Sequence, residues 1–137
     1  LKFLARALMV TGQLPAFEAD RIDHARPTVP RVSPGVTPEY GRYLANAGGC
    51  TGCHGPGLSG GRIPGTPPDW KPATNITPAG IGTWAEADFF RALREGRRPT
   101  GTPIDTLMPW RRAGRMTDDE IRALWMYLRT VPAREYG

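Results

Sequence analysis

The chain has 137 residues, 39% of them hydrophobic, with 17 glycines and 15 prolines. That length is one domain by the usual size scale, and the composition is loop-rich rather than that of a disordered chain. Eighteen basic against 13 acidic side chains leave a net charge of +5, an excess too modest for a nucleic-acid-binding surface.

Taken in chain order, residues 1–11 are expected to form a helix. Leu1, Leu4, Ala5 and Leu8 recur at helical spacing, and Gly12 stands where a C-cap would. The apolar run is far shorter than the roughly 20 residues that span a bilayer, so it reads as the stub of a removed signal or anchor, an interfacial helix, or a helix docked on another subunit. Residues 12–36 carry Pro15, Pro27, Pro30 and Pro34 and read as an extended tether. The chain is therefore divided into 1–36, a helix and tether, and 37–137, a compact domain.

Within that domain Thr37-Pro38-Glu39 is a helix start, a capping residue followed by proline at the first helical position. The helix runs through Tyr40 and Leu44 into Gly48-Gly49. Thr83-Trp84-Ala85-Glu86 reads as a capping box opening a helix through Phe89, Phe90 and Leu93 to Gly96. Thr117-Asp118-Asp119-Glu120 is a second capping box. The helix after it carries Ile121, Leu124, Trp125 and Leu128 at i, i+3, i+4, i+7 and stops before Pro132. Two Gly/Pro-rich loops, 55–82 and 97–116, separate these elements. No run alternates at period two, so few strands are expected and the fold class is all-α.

The chemistry sits in Cys50-Thr51-Gly52-Cys53-His54. Cys-x-x-Cys-His is the attachment pattern of a c-type haem, with two thioethers to the porphyrin and the adjacent imidazole as iron ligand. Cys50 and Cys53 are the sole cysteines, and the other histidine is His24. A structural zinc site needs two further soft ligands, and a redox dithiol is expected beside a βαβ pattern that is absent here. A second axial ligand can come from Met9, Met108, Met116, Met126 or His24. Met108 is favoured because it lies in an interhelical loop stiffened by Pro109. The alternative is that Met108 only fills space in the core.

The order helix, CxxCH, long loop, helix, loop, helix, with Leu107-Met108-Pro109-Trp110 before the last helix, resembles a class I cytochrome c. The runs Asn75-Ile76-Thr77-Pro78, Gly80-Ile81-Gly82-Thr83-Trp84 and Phe89 to Gly96 are similar to bacterial monohaem domains. Those domains include the ones in cytochrome subunits of membrane-bound alcohol and sugar dehydrogenases. The resemblance covers about residues 37–132. It implies one covalent haem c, His54 and Met108 as iron ligands, and one-electron transfer rather than bond-making catalysis. It implies redox protein partners, a larger membrane respiratory or photosynthetic complex among them. It also implies a periplasmic location, at or near the membrane face; the N-terminal helix and tether, outside the resemblance, are the candidate for membrane association.

The resemblance further assigns a backbone carbonyl at a proline, Pro64 here with Pro67 in reserve, to accept from His54. Asn75, Thr77, Trp70, Trp84 and Arg62 are candidates for the haem propionates, against plainer roles as turn caps, packing groups or solvated side chains. Leu107 and Trp110 are expected to wall the Met side. Gly41 with Tyr40, against Tyr127, resembles the family's close crossing of first and last helices. Seven arginines (Arg91, Arg94, Arg97, Arg98, Arg111, Arg112, Arg115) flank the distal loop, either as a basic docking rim or simply as solubilising charge. A haem enzyme or gas sensor with a labile distal ligand is the alternative function.

Overall fold

A computed structural model of the protein describes residues 3–12, 25 and 31–137. His24 and most of the 12–36 tether lie outside the described residues. The chain separates into two compact units, Leu1–Arg31 and Val32–Gly137.

In the first unit a helix, α1, spans Phe3–Val10. Thr11 Oγ1 donates to the carbonyls of Ala7 and Leu8 at 3.0 and 3.2 Å, and Gly12 follows at φ +70°. Phe3, Leu4 and Val10 are exposed.

The second unit is helical, with no strand longer than an isolated bridge among the described residues. Its helices are α2 (Pro38–Ala47), α3 (Cys50–His54), α4 (Pro78–Ile81), α5 (Glu86–Glu95), α6 (Trp110–Ala113) and α7 (Asp118–Thr130). Thr37 caps α2, its hydroxyl accepting from the Tyr40 N–H at 3.2 Å, with Pro38 at the first helical position. At α7 the expected capping box is complete: Thr117 N–H donates to Glu120 Oε2 at 2.7 Å and Glu120 N–H to Thr117 Oγ1 at 3.3 Å.

The start of α5 departs from expectation. Thr83 is not its cap. The Trp84 N–H closes a turn on the Ile81 carbonyl at 3.0 Å, which leaves Thr83 inside that turn. The helix opens two residues later, at Ala85, whose N–H is taken by Asp88 Oδ2 at 3.0 Å. Alanine offers no oxygen in return, so only half of a capping box forms. Helices α4 and α6 lie inside the stretches expected to be loops.

The crossing of α2 over α7 organises the unit. A side chain at Gly41 would collide with the Ala123 carbonyl oxygen and would stand 2.7 Å from Tyr127 Cβ, so the backbones meet only because position 41 has no Cβ. Tyr40 Oη donates to Glu120 Oε1 at 3.3 Å across the same junction. Below it Ala45, Ile121, Leu124 and Leu128 are buried together with Phe89 and Leu93 of α5. Phe89 and Trp125 meet at 5.3 Å between ring centroids, tilted by 31°. Arg94 to Asp118 (2.7 Å) and Arg122 to Glu86 (3.1 Å) tie α5 to α7 at the surface. Exposed pairs of this kind contribute little, so the apolar contacts carry the packing.

Gly41→Ala is expected to cost about 2–3 kcal/mol through overpacking, whereas Gly35→Ala, with its nearest neighbour 3.9 Å from the new Cβ, is expected to be nearly neutral. Denaturant unfolding of the two variants beside wild type checks this. Equal stability of all three would mean that the α2–α7 contact is not close in solution.

Candidate haem site

Helix α3 is short but sufficient. Positions i, i+3 and i+4 share a helix face, so Cys50, Cys53 and His54 sit side by side. Cys50 is half-buried, Cys53 exposed and His54 buried. All three line one open cleft of about 180 Å³.

The rest of the cleft comes from two loops. Ile63, Ala73 and Thr74 belong to the loop after α3. Ile104, Leu107 and Met108 belong to the loop between α5 and α6. The lining is mainly apolar, with Arg98, Lys71 and Asp105 as its charged members. A flat apolar ring with two thioether links and an anionic edge suits these walls: vicinal thiols, an imidazole, aliphatic sides and basic groups. The residues present fit a covalent haem c.

His54 is held by its second nitrogen. Nδ1 lies 2.7 Å from the Thr74 carbonyl. A carbonyl can only accept, so Nδ1 carries the proton and Nε2 keeps its lone pair. Burial pushes the imidazole pKa down, and the Thr74 contact partly offsets this. Burial also raises the Cys50 thiol. Thr74, not Pro64, supplies the carbonyl. The reason is non-local: Gly61 and Ala73 pair as an antiparallel bridge, N–H to carbonyl at 3.0 and 2.9 Å. That bridge folds residue 74 back under the imidazole. Pro64 stays in the turn leading to Gly65, and the Pro67 carbonyl accepts instead from the Trp70 N–H at 3.1 Å.

Met108 sits in a firmly held loop. Asp105 Oδ1 accepts from the Leu107 N–H at 3.0 Å, and the Asp105 carbonyl from the Met108 N–H at 3.1 Å. Lys71 pairs with Asp105 at 3.0 Å, joining the two loops. The Leu107 N–H first, then Lys71, keep the Asp105 carboxyl below its ordinary range. After Pro109, α6 seats on α5 with the Trp110 indole against Gly96 and the backbone of Gly114 against the Leu93 carbonyl.

Several expected haem contacts lie outside the cleft lining. Trp70 is 42% exposed, and Trp84 packs against the core. Arg62 makes long contacts to the carbonyls of Thr66 (3.4 Å) and Pro68 (3.5 Å) in its own loop. Asn75 and Thr77 bond each other and the segment after α7. Trp110 backs onto α5 rather than walling the cleft. Of the arginines, Arg91 pairs with Asp88 at 3.0 Å, Arg94 with Asp118, and Arg97 donates to the Gly101 carbonyl at 3.1 Å. Arg111 stacks over Trp110 at 4.3 Å, while Arg98 lines the cleft. The sequence reading missed Thr74, Lys71 and Asp105 as site residues, and also Ile63 and Ile104. The two isoleucines carried a signal, being bulky apolar residues inside Gly/Pro-rich loops.

Comparison with known proteins agrees with this geometry. The cytochrome c family model matches residues 38–132. The chain is 35% identical over 116 residues to the fructose dehydrogenase cytochrome subunit of Gluconobacter japonicus, covering 77% of this chain and 24% of that protein. It is 36% identical over 94 residues to the cytochrome c subunit of the quinone alcohol dehydrogenase of Gluconobacter oxydans, covering 64% and 20%. It is also 36% identical over 94 residues to the gluconate 2-dehydrogenase cytochrome c subunit of Pantoea cypripedii, covering 64% and 21%. The chain thus spans a quarter or less of the length of these relatives. Family match, motif and cleft together make the chain a member of the cytochrome c family, an electron-transfer domain with a covalent haem c on Cys50 and Cys53.

Proposed function

We propose that the domain carries single electrons within a membrane-bound dehydrogenase or related respiratory assembly, through iron ligated by His54 and Met108. The observation that carries this reading is that His54 and Met108 line the same apolar cleft, one from the motif helix and one from the loop braced by Asp105. Nε2 of His54 is left free for iron by the Thr74 bond, and the thioether of Met108 is a soft donor that favours the ferrous state and raises the potential.

The haem supplies the redox couple when bound. The chain's own residues do the rest. Cys50 and Cys53 would anchor the ring, and His54 and Met108 would both hold the iron, which would keep substrates from the metal. The aliphatic walls exclude water. Arg98, on the cleft wall, would provide positive charge for the propionates, a role for which the sequence offers Asn75, Thr77, Trp70, Trp84 and Arg62 as candidates. Electron transfer then needs little rearrangement and no general acid or base.

The relatives named as dehydrogenase subunits support a partner that feeds or drains electrons at the exposed side of the cleft, where Cys53 and Leu107 meet solvent. Arg98 on the cleft wall and the exposed Arg112 and Arg115 further along the chain support a basic rim for an acidic partner. Covalent haem attachment in bacteria supports a periplasmic setting. No helix among the described residues is long and apolar enough to cross a membrane. The exposed apolar side chains of α1 and the proline-bearing stretch after it support a tether holding the domain, residues 37–137, at the membrane face.

Met108→Ala tests the ligand set. Ferric wild-type protein is expected to show the weak far-red Met-to-iron band, and the variant is expected to lose it with a lower reduction potential. A wild-type spectrum without the band would move the haem-enzyme or sensor reading to the front. Stopped-flow electron transfer with an acidic redox protein is expected to slow as salt rises, and to slow least in an Arg98→Ala/Arg112→Ala/Arg115→Ala variant. A rate indifferent to salt would remove the basic rim from the account.

A further inference from the structure

The carbonyl that meets the proximal imidazole belongs to an irregular turn, and the residue after it makes three hydrogen bonds. Asn75 Oδ1 accepts from the Thr77 N–H at 2.8 Å and from the Thr77 hydroxyl at 2.7 Å. Its Nδ2 donates to the Arg134 carbonyl at 2.8 Å, 59 residues further on. The Arg134 N–H in turn donates to Thr77 Oγ1 at 3.3 Å. The Thr77 hydroxyl therefore donates once and accepts once, which is a balanced use of that group, and Thr77 is fully buried.

The turn is also gripped by backbone. The Ile76 N–H donates to the Leu58 carbonyl at 3.0 Å. Two neighbours must be glycine for the chain to come this close. A Cβ at Gly60 would stand 2.6 Å from the Thr74 carbonyl carbon and 2.8 Å from the Asn75 nitrogen. One at Gly80 would stand 2.7 Å from the Asn75 carbonyl carbon. Such packing around an irregular turn is more than a surface loop requires.

We propose that Asn75 is a positioning residue for the proximal ligand: by tying the 74–77 turn to Arg134 it holds the Thr74 carbonyl on His54 Nδ1–H. The inference rests on the reading of His54 as an iron ligand. A hydrogen bond to the far nitrogen raises the basicity of a ligating imidazole and fixes its ring. A more basic imidazole favours ferric iron. Loosening the turn weakens that bond, so the potential rises. Asn75 thus acts on the redox couple through Thr74 and His54, not through contact with the porphyrin edge.

The test is a potentiometric titration of the holoprotein, with thermal melting and NMR of the His54 ring on the same samples. Asn75→Ala and Thr77→Val are each expected to raise the potential by the equivalent of a two- to tenfold shift toward ferrous iron, about 20–60 mV at 59 mV per tenfold. Exchange of the His54 Nδ1–H proton is expected to speed up in both. Thr77→Ser keeps the hydroxyl and is expected to stay at the wild-type potential. Ile121→Val, in the buried face of α7, is expected to lower Tm and leave the potential unmoved, which separates positioning from stability. Potentials unchanged in Asn75→Ala and Thr77→Val, with only Tm lowered, would overturn the proposal. Where Asn75→Ala fails to fold, the Thr77→Val and Thr77→Ser pair decides by the same criterion. Hyperfine-shifted His54 ring protons in ferric wild type test the ligand reading separately, and their absence would overturn that reading whatever the variants do.

Discussion

Helix α2 lies directly on helix α7 because Gly41 has no side chain to hold them apart. Everything at the site is hung from that contact. The end of α2 leads through Gly48 and Gly49 into α3, so fixing α2 fixes where Cys50, Cys53 and His54 stand. The core under α7 seats α5, α5 seats α6, and α6 follows directly from Met108 and Pro109. One loop descends from each side of this frame, and the two meet at the Lys71–Asp105 pair. A small domain has little core to spare, and here the cleft walls draw on aliphatic residues that a haem would cover.

Local signals make the frame legible. Thr37-Pro38 and the Thr117/Glu120 box mark helix starts by short-range hydrogen bonding, and the apolar spacing of α7 marks its buried face. The CxxCH run needs no long-range contact to be read. The start of α5 shows the limit of such signals: Thr83 and Glu86 have the right spacing, but a turn closed on Ile81 competes for that backbone, and Asp88 supplies the cap instead.

The cleft is less legible because its parts are assembled across long sequence separations. Thr74 reaches His54 through the Gly61–Ala73 bridge, which no local pattern announces, whereas Pro64 is attractive only by analogy. Lys71 and Asp105 belong to different loops and read individually as solvated charges. Asn75 reads from sequence equally as a propionate contact or as the cap of a short turn. Its short polar side chain is spent on Thr77 and Arg134, as asparagine commonly is in turns.

On the proposed reading His54 and Met108 would both hold the iron, so that the domain would move electrons and would not bind small ligands at the metal. Mixing the ferrous protein with carbon monoxide and following the Soret spectrum tests this most directly. A spectrum unchanged over seconds is the predicted result. Rapid conversion to a carbon monoxide complex in the wild-type protein would contradict the account.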